Sequence, residues 1–433
     1  MFFYMVKKSK MIRKVCLILV VLLLALCAFP EYAGAEETCL SLYAAAAVLM
    51  DADSGRILYE KEGDSFLANA STTKIMTCIL ALEYADMEDT VTVSSYAAGM
   101  PKVKLYMKEG EHFKLKDLLY SMMLESHNDS AMAIAEHVGG SMDAFAGMMN
   151  EKAKQIGCEN TFFITPNGLD ATKTMTGTEK NEEILSHGTT AADLARIMAY
   201  CTFHSPKKEA FIQITQTSQY SFCSVEGRSF SCVNHNAFLQ MMEGVVSGKT
   251  GFTNKAGYCY VGAMERDGKR FTIALLACGW PNHKTYKWAD ARTLFEYGLD
   301  TFSYHTLTEA SYSDSLLAPI PVENGRGARI GETVYEEVTV RKSTAEDACM
   351  GFDSSKGKEE TGILLAENEK IETLCHVKES LTAPVTENTV VGEICYMVGD
   401  ECIYREEIIT IKNVGKNDYG WCLGRIMEMF LMN

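Results

Sequence analysis

The chain has 433 residues, enough for two or three domains around a sizeable core. It carries 57 acidic against 41 basic side chains, for a formal charge of −16, and shows no basic stripe, which excludes nucleic acid as a partner. The 15 cysteines are scattered without Cys-x-x-Cys pairs, so no metal-binding spacing is present. Most read as small apolar core residues, although Cys223 with Cys232, or Cys395 with Cys402, stand where a bridge across a hairpin is open to them.

Residues 1–35 read as an export leader rather than as fold. Lys7, Lys8, Lys10, Arg13 and Lys14 form a basic start, residues 15–28 an apolar run, and Ala33-Gly34-Ala35 a small-x-small cleavage site. The run is short for a bilayer span, which favours cleavage over an uncleaved anchor. Residues 44–59, with the turn Asp53-Ser54-Gly55, read as a β-hairpin.

The next helix opens on Ser71-Thr72-Thr73-Lys74, and Ile75, Ile79 and Leu82 give it one apolar face. Ser71 then sits at the helix start and Lys74 one turn on, on the same side. A neutral amine at that spacing can take the serine's proton, and the positive end of the helix favours the developing alkoxide. The pattern is short, and an N-cap serine beside an exposed lysine is the bland alternative.

Leu115, Leu118, Leu119, Met122 and Met123 mark an amphipathic helix that ends at Glu125, and Ser126-His127-Asn128 follows. A second helix starts near Asp129 and closes at Gly139-Gly140, and a third runs from Met142 to Gly157. Pro166-Asn167-Gly168-Leu169-Asp170 is a turn cluster, followed by a loose Thr-rich loop to about residue 188. Thr190 with Asp193 resembles a capping box for a helix bearing Leu194, Ile197 and Met198.

Strands follow at 245–252, 257–264 and 271–278, with a hairpin turn at Asp267-Gly268 and Lys249-Thr250-Gly251 in the first. A last helix carries Trp288, Ala291, Leu294 and Phe295, with Gly298 as its stop. Beyond residue 303 the pattern turns to strands at 333–340, 371–376, 390–398 and 402–411, around a Gly/Lys/Glu-rich loop at 349–362. The tail carries Trp421, Leu423, Ile426, Met427, Phe430 and Leu431 on a wide apolar face. Such a helix lies in a membrane surface or docks on the β segment, and both readings stand.

Ser71-x-x-Lys74, Ser126-x-Asn128 and Lys249-Thr250-Gly251, in that order on an exported chain, form the signature of penicillin-binding proteins and serine β-lactamases. Ala70-Ser-Thr-Thr-Lys-Ile-Met-Thr77, Ser126-x-Asn-Asp-Ser130, Asn167-Gly-Leu-Asp170 and Gly248-Lys-Thr-Gly-Phe-Thr253 resemble the D-alanyl-D-alanine carboxypeptidases of peptidase family S11. Leu381-Thr-Ala-Pro-Val385 and Val391-Gly-Glu-Ile394 are similar to that family's C-terminal β domain. The chain departs at His127, where a small residue is usual, and at Asn167, where many relatives have histidine.

The resemblance implies an α/β (α+β) transpeptidase-like domain, an antiparallel sheet flanked by helices, followed by a small mostly-β domain. The expected division is a leader at 1–35, a catalytic domain at 36–302, a β domain at 303–415 and an amphipathic tail at 416–433. It implies Ser71 as nucleophile on the bond between the two terminal D-alanines of a peptidoglycan stem peptide. Lys74 is then the general base, kept neutral by burial beside Lys249, and Ser126 relays a proton to the leaving D-alanine. Asn128, Lys249, Thr250 and Gly251 bind substrate, and the N–H groups of Ser71 and Phe252 form the oxyanion hole. No metal or cofactor is expected, β-lactams are expected inhibitors, and the setting is extracytoplasmic.

Three rivals share the motifs: a β-lactamase, a transpeptidase and a non-catalytic wall-binding protein. Class A β-lactamases need a glutamate between the second and third motifs. Glu182 and Glu183 lie there, but without a Glu-x-x-Leu-Asn pattern. A phosphate-binding loop fails because Glu243 stands where its first glycine belongs. No Gly-x-Ser-x-Gly elbow supports a Ser-His-Asp triad.

Overall fold

Strand β1 (Ala46–Asp51) is buried along its whole length because it lies inside a sheet covered on both faces. This computed structural model describes residues 40–176, 182–309, 312, 314–341 and 362–431. The leader assigned to 1–35 therefore lies outside the described residues. Leu42–Asn433 form one compact unit.

Strand β2 (Ile57–Lys61) turns back from β1. Helix α1 (Lys74–Tyr84) follows, preceded by a 3-10 turn over Ala70–Thr73. Helices α2 (Leu115–Leu124), α3 (Asn128–Gly139) and α4 (Met142–Gln155) come next. Strands β3 (Thr172–Thr176) and β4 (Glu182–Ser186) pair as a hairpin, from Thr172 opposite Ser186 to Thr176 opposite Glu182. The loose loop expected from sequence is thus paired strand over these residues: the Thr-rich composition is also strand-favouring, and backbone pairing decides it. Helices α5 (Ala191–Ala199) and α6 (Lys208–Gln216) lead on to β5 (Val245–Thr253), β6 (Gly257–Arg266) and β7 (Lys269–Leu276), and α7 (Tyr286–Thr301) closes this part.

The five strands form an antiparallel sheet in the order β2-β1-β7-β6-β5. Strands from both ends of the segment thus meet at its centre. Alternate residues serve the two faces. Val48, Met50, Ala274 and Leu276 join the core that holds α1, α2, α3 and α5. Leu49 and Phe271 face α7, where a Cβ on Gly298 would come within 2.9 Å of the Phe271 ring and 3.1 Å of Leu49. Gly298 is therefore not the helix stop expected from sequence. The helix runs on to Thr301, and the glycine allows it to pack closely on the sheet.

Helix α1 also departs from the expected single apolar face. Every residue from Lys74 to Leu82 is buried, as in a helix enclosed on all sides. Thr190 does cap α5, its hydroxyl accepting the Asp193 N–H at 3.1 Å.

Beyond α7, a second buried cluster includes Ile320, Ile363, Leu381, Ile394, Tyr396 and Ile408. Strands β8 (Val338–Arg341), β9 (Glu372–Val377), β10 (Val390–Val398) and β11 (Glu401–Thr410) make a four-stranded sheet in the order β8-β11-β10-β9. The single strand expected at 333–340 is two, Val334–Glu336 and Val338–Arg341, which join different sheets. Most of the 349–362 loop lies outside the described residues. Arg56 beside β2 forms an ion pair with Glu369 and donates to the Leu364 carbonyl at 3.2 Å, tying this part to the first sheet.

Helix α8 (Tyr419–Leu431) ends the described chain with none of its residues buried. Arg425 on this helix donates to the Ala328 carbonyl at 2.8 Å, while Leu423, Ile426, Met427, Phe430 and Leu431 stay exposed. The docking of its apolar face on the β segment is thus not what the structure has. No helix among the described residues is long and apolar enough to cross a membrane.

The eleven described cysteines are free thiols. Cys223 pairs with Ser229 and Cys232 with Tyr220, so the two cysteines point to opposite faces of their hairpin and cannot bridge. Cys395 and Cys402 are likewise unbridged.

Candidate active site

Ser71 lies in the 3-10 turn, and Lys74 is the first residue of α1. The tight turn brings Lys74 Nζ to 2.8 Å from Ser71 Oγ. The lysine is fully buried, and Nζ also donates to Asn128 Oδ1 at 2.9 Å and to the Asn167 carbonyl at 2.8 Å. Both of these partners can only accept. A neutral amine has two N–H groups and one lone pair, so the two acceptors engage its protons and leave the lone pair for the Ser71 hydroxyl. Burial, then the charge of Lys249, holds the Lys74 amine well below the ordinary lysine range, against a smaller opposing pull from Asp129.

Ser126 lies in the loop between α2 and α3, with φ +64°, a left-handed conformation unusual for serine. Its hydroxyl accepts from Lys249 Nζ at 3.0 Å. That acceptance leaves the Ser126 proton free to be given elsewhere. Lys249 also donates to the Thr250 carbonyl at 2.9 Å, and burial lowers it to about 7. Two buried lysines thus stand at one site, each bound to a serine hydroxyl.

Strand β5 is an edge of its sheet, leaving backbone groups for an extended peptide to pair with. Gly251 on that strand passes hard against the Ser71 turn, where a Cβ would lie 3.0 Å from Ser71 N. Thr250 is half-buried beside it, and Phe252 is exposed, its ring 4.7 Å from that of Tyr258. All eight residues singled out from sequence therefore gather at the junction of α1, the α2–α3 loop and β5.

Sequence reasoning missed the fourth wall. The Asn167 carbonyl meets both Lys74 and, at 3.5 Å, Ser71 Oγ. It is held there by Gly168, whose φ is +79° and whose Cβ would fall 1.9 Å from the Ala70 carbonyl. A backbone oxygen leaves no side-chain signal; the Asn-Gly turn was the only trace. His187 is a second omission. Its Nδ1 accepts the Ile164 N–H at 2.9 Å, so Nε2 carries the proton toward Thr73 Oγ1, also 2.9 Å away. Thr73 in turn donates to the Ala70 carbonyl at 2.8 Å, bracing the Ser71 turn. Burial pushes this imidazole down to about 4 and keeps it neutral. Glu182 and Glu183 begin strand β4 of the hairpin. Among the described residues no cluster of His, Cys, Asp or Glu can hold a metal ion.

A family model described as D-alanyl-D-alanine carboxypeptidase, peptidase S11, matches residues 33–278. The chain belongs to the D-alanyl-D-alanine carboxypeptidase family. This is a family of serine-type carboxypeptidases. A second model, the penicillin-binding protein 5 C-terminal domain, matches residues 365–416. The chain is 30% identical to the D-alanyl-D-alanine carboxypeptidase DacF of Bacillus subtilis over 325 residues, 74% of this chain and 78% of the relative. It is 26% identical to DacC of Escherichia coli over 417 residues, 93% and 92% of the two chains. Its fold is similar to that of penicillin binding protein 5 from Haemophilus influenzae, with TM-score 0.63 and 21% identity, covering 88% of this chain and 99% of the other.

Proposed function

We propose that this carboxypeptidase-family chain removes the terminal D-alanine from peptidoglycan stem pentapeptides through an acyl-enzyme on Ser71. The observation that carries the reading is the Lys74 amine, buried, bonded to two pure acceptors and 2.8 Å from Ser71 Oγ. In this mechanism Ser71 gives its proton to Lys74 and attacks the carbonyl between the two D-alanines. The N–H groups of Ser71 and Phe252 receive the oxyanion. Ser126 passes a proton to the departing D-alanine nitrogen, and Lys249 keeps the relay polarised. Asn128 holds the substrate amide, Thr250 the terminal carboxylate, and the free edge of β5 the peptide backbone. Water then releases the shortened peptide. A β-lactam enters by the same attack and leaves slowly.

The supporting setting is an exported enzyme with its leader at 1–35, catalytic domain at 36–302, β domain at 303–415, and a tail at 416–433 that lies on a membrane surface. The exposed apolar residues of α8 support that role for the tail.

Intact mass after incubation with a labelled penicillin tests the nucleophile. A stable one-drug adduct is expected in the wild type and none in Ser71→Ala. Release of D-alanine from a stem-peptide analogue tests the reaction. Rapid turnover of the drug would point to a β-lactamase, and neither adduct nor turnover would leave only a wall-binding role.

A further inference from the structure

The middle residue of the second motif has its own partner outside the site. His127 is the N-cap residue of α3, 9% exposed, between Ser126 and Asn128. Its Nδ1 lies 2.8 Å from Ser121 Oγ on the last turns of α2, and Ser121 Oγ lies 2.8 Å from Ser130 Oγ on the first turn of α3. One imidazole thus ties together both helices that flank the loop. A glycine or alanine cannot reach Ser121.

The two neighbours of His127 are those that meet the lysines. Ser126, held with φ +64°, accepts from Lys249, and Asn128 accepts from Lys74. A left-handed serine is strained and persists only where its surroundings hold it. The rest of the loop is braced by main-chain bonds. The Asn128 N–H donates to the Val103 carbonyl at 2.8 Å, and the Asp129 carboxylate accepts the Leu105 N–H at 2.9 Å. On the Ser126 side, the Glu125 carboxylate accepts the Val233 N–H at 2.9 Å and meets His235 Nε2 at 2.7 Å, which ties the loop to the segment after α6; His127 with Ser121 is the side-chain brace to the helices that flank the loop.

We propose that His127 is a positioning residue which, through Ser121, sets where Ser126 and Asn128 stand against Lys249 and Lys74, and so sets the rate of acylation rather than the affinity for peptide. The proposal rests on the serine acyl-transfer reading above. The charged groups around the imidazole are Glu125 and Asp129 on its own segment, Lys74 on α1, and His235. Burial holds it below its ordinary value, so near neutral pH it is uncharged and Nδ1 can accept the Ser121 O–H.

The test compares His127→Ala, His127→Asn, Ser121→Ala and the His127→Ala/Ser121→Ala double variant with the wild type. The measurements are kcat and KM for D-alanine release from a stem-peptide analogue, the second-order acylation rate with a labelled penicillin, and Tm. His127→Ala should lose about 10- to 100-fold in kcat and in acylation rate, with KM within about twofold, since small misplacements at a reacting centre cost that much. An asparagine places its amide oxygen near the position of Nδ1, so His127→Asn should recover at least half of that loss on a logarithmic scale. Ser121→Ala should resemble His127→Ala, and the double variant should be no slower than the worse single one.

Equal loss in His127→Asn and His127→Ala, strictly additive losses in the double variant, or a raised KM with kcat intact would each overturn the proposal. A wild type that acylates with penicillin but releases no D-alanine would defeat the proposed reaction alone, and the acylation rates would still decide the role of His127. A wild type that does neither would overturn both.

Discussion

Adding one methyl at Gly251 strikes the site without removing any of its functional groups. The new Cβ would lie 3.0 Å from Asn69 O and Ser71 N, and 3.1 Å from Thr72 N. All three are backbone atoms, so no side chain can swing aside, and β5 and the Ser71 turn must part by a few tenths of an ångström. The proposed oxyanion donors, Ser71 N–H and Phe252 N–H, stand on either side of that contact. Losing one such donor outright costs about 10²- to 10³-fold, and a 1 Å misplacement about 10²-fold. A shift of a few tenths should therefore slow acylation by roughly 10- to 100-fold, or about 1.4–2.7 kcal/mol on the barrier. Overpacking should also lower stability by about 1–3 kcal/mol, a loss of several degrees in Tm that still leaves the protein folded at the assay temperature. The assay is the second-order rate of labelled-penicillin acylation in wild type, Gly251→Ala and a control, Gly147→Ala, where a Cβ has nothing within 4 Å. Wild-type acylation in folded Gly251→Ala would refute the reasoning, because the donors would then not depend on that contact.

Three further outcomes are expected. Lys249→Gln removes a charge that holds the Lys74 amine low; the Lys74 value then rises, less of the amine is neutral at a given pH, and the rise of acylation rate with pH should move to higher pH. Lys249→Arg should leave that midpoint near the wild-type position, and an unmoved midpoint in Lys249→Gln would count against coupling of the two lysines. Gly168→Ala forces a left-handed φ on a residue with a side chain and drives its methyl into the Ala70 carbonyl, so a fall in Tm together with at least about a 10-fold loss of acylation is expected. Normal values of both would show that the Asn167 carbonyl is not held by this turn. Removing residues 419–433 should abolish co-sedimentation with anionic lipid vesicles and leave penicillin acylation unchanged.

The sequence by itself determined the family of this protein and the kind of scaffold that carries its site. Ser71, Lys74, Ser126, Asn128 and Lys249 are legible because each is a side chain whose type and spacing the proposed reaction calls for, and local periodicity located most of the elements that bear them. Tertiary structure decided what depends on partners far along the chain. Helix α1 reads as amphipathic but is enclosed on all sides, because neighbours come from 115–155 and 191–216. Gly298 reads as a stop but serves close packing, since only the facing sheet gives it that use. The 172–186 hairpin is set by backbone pairing rather than by any alternation of apolar residues. The Asn167 carbonyl and the His127–Ser121 tie escaped notice for the same reason. A backbone oxygen has no residue type, and the hydrogen bond between His127 and Ser121 exists only once the fold has placed them 2.8 Å apart.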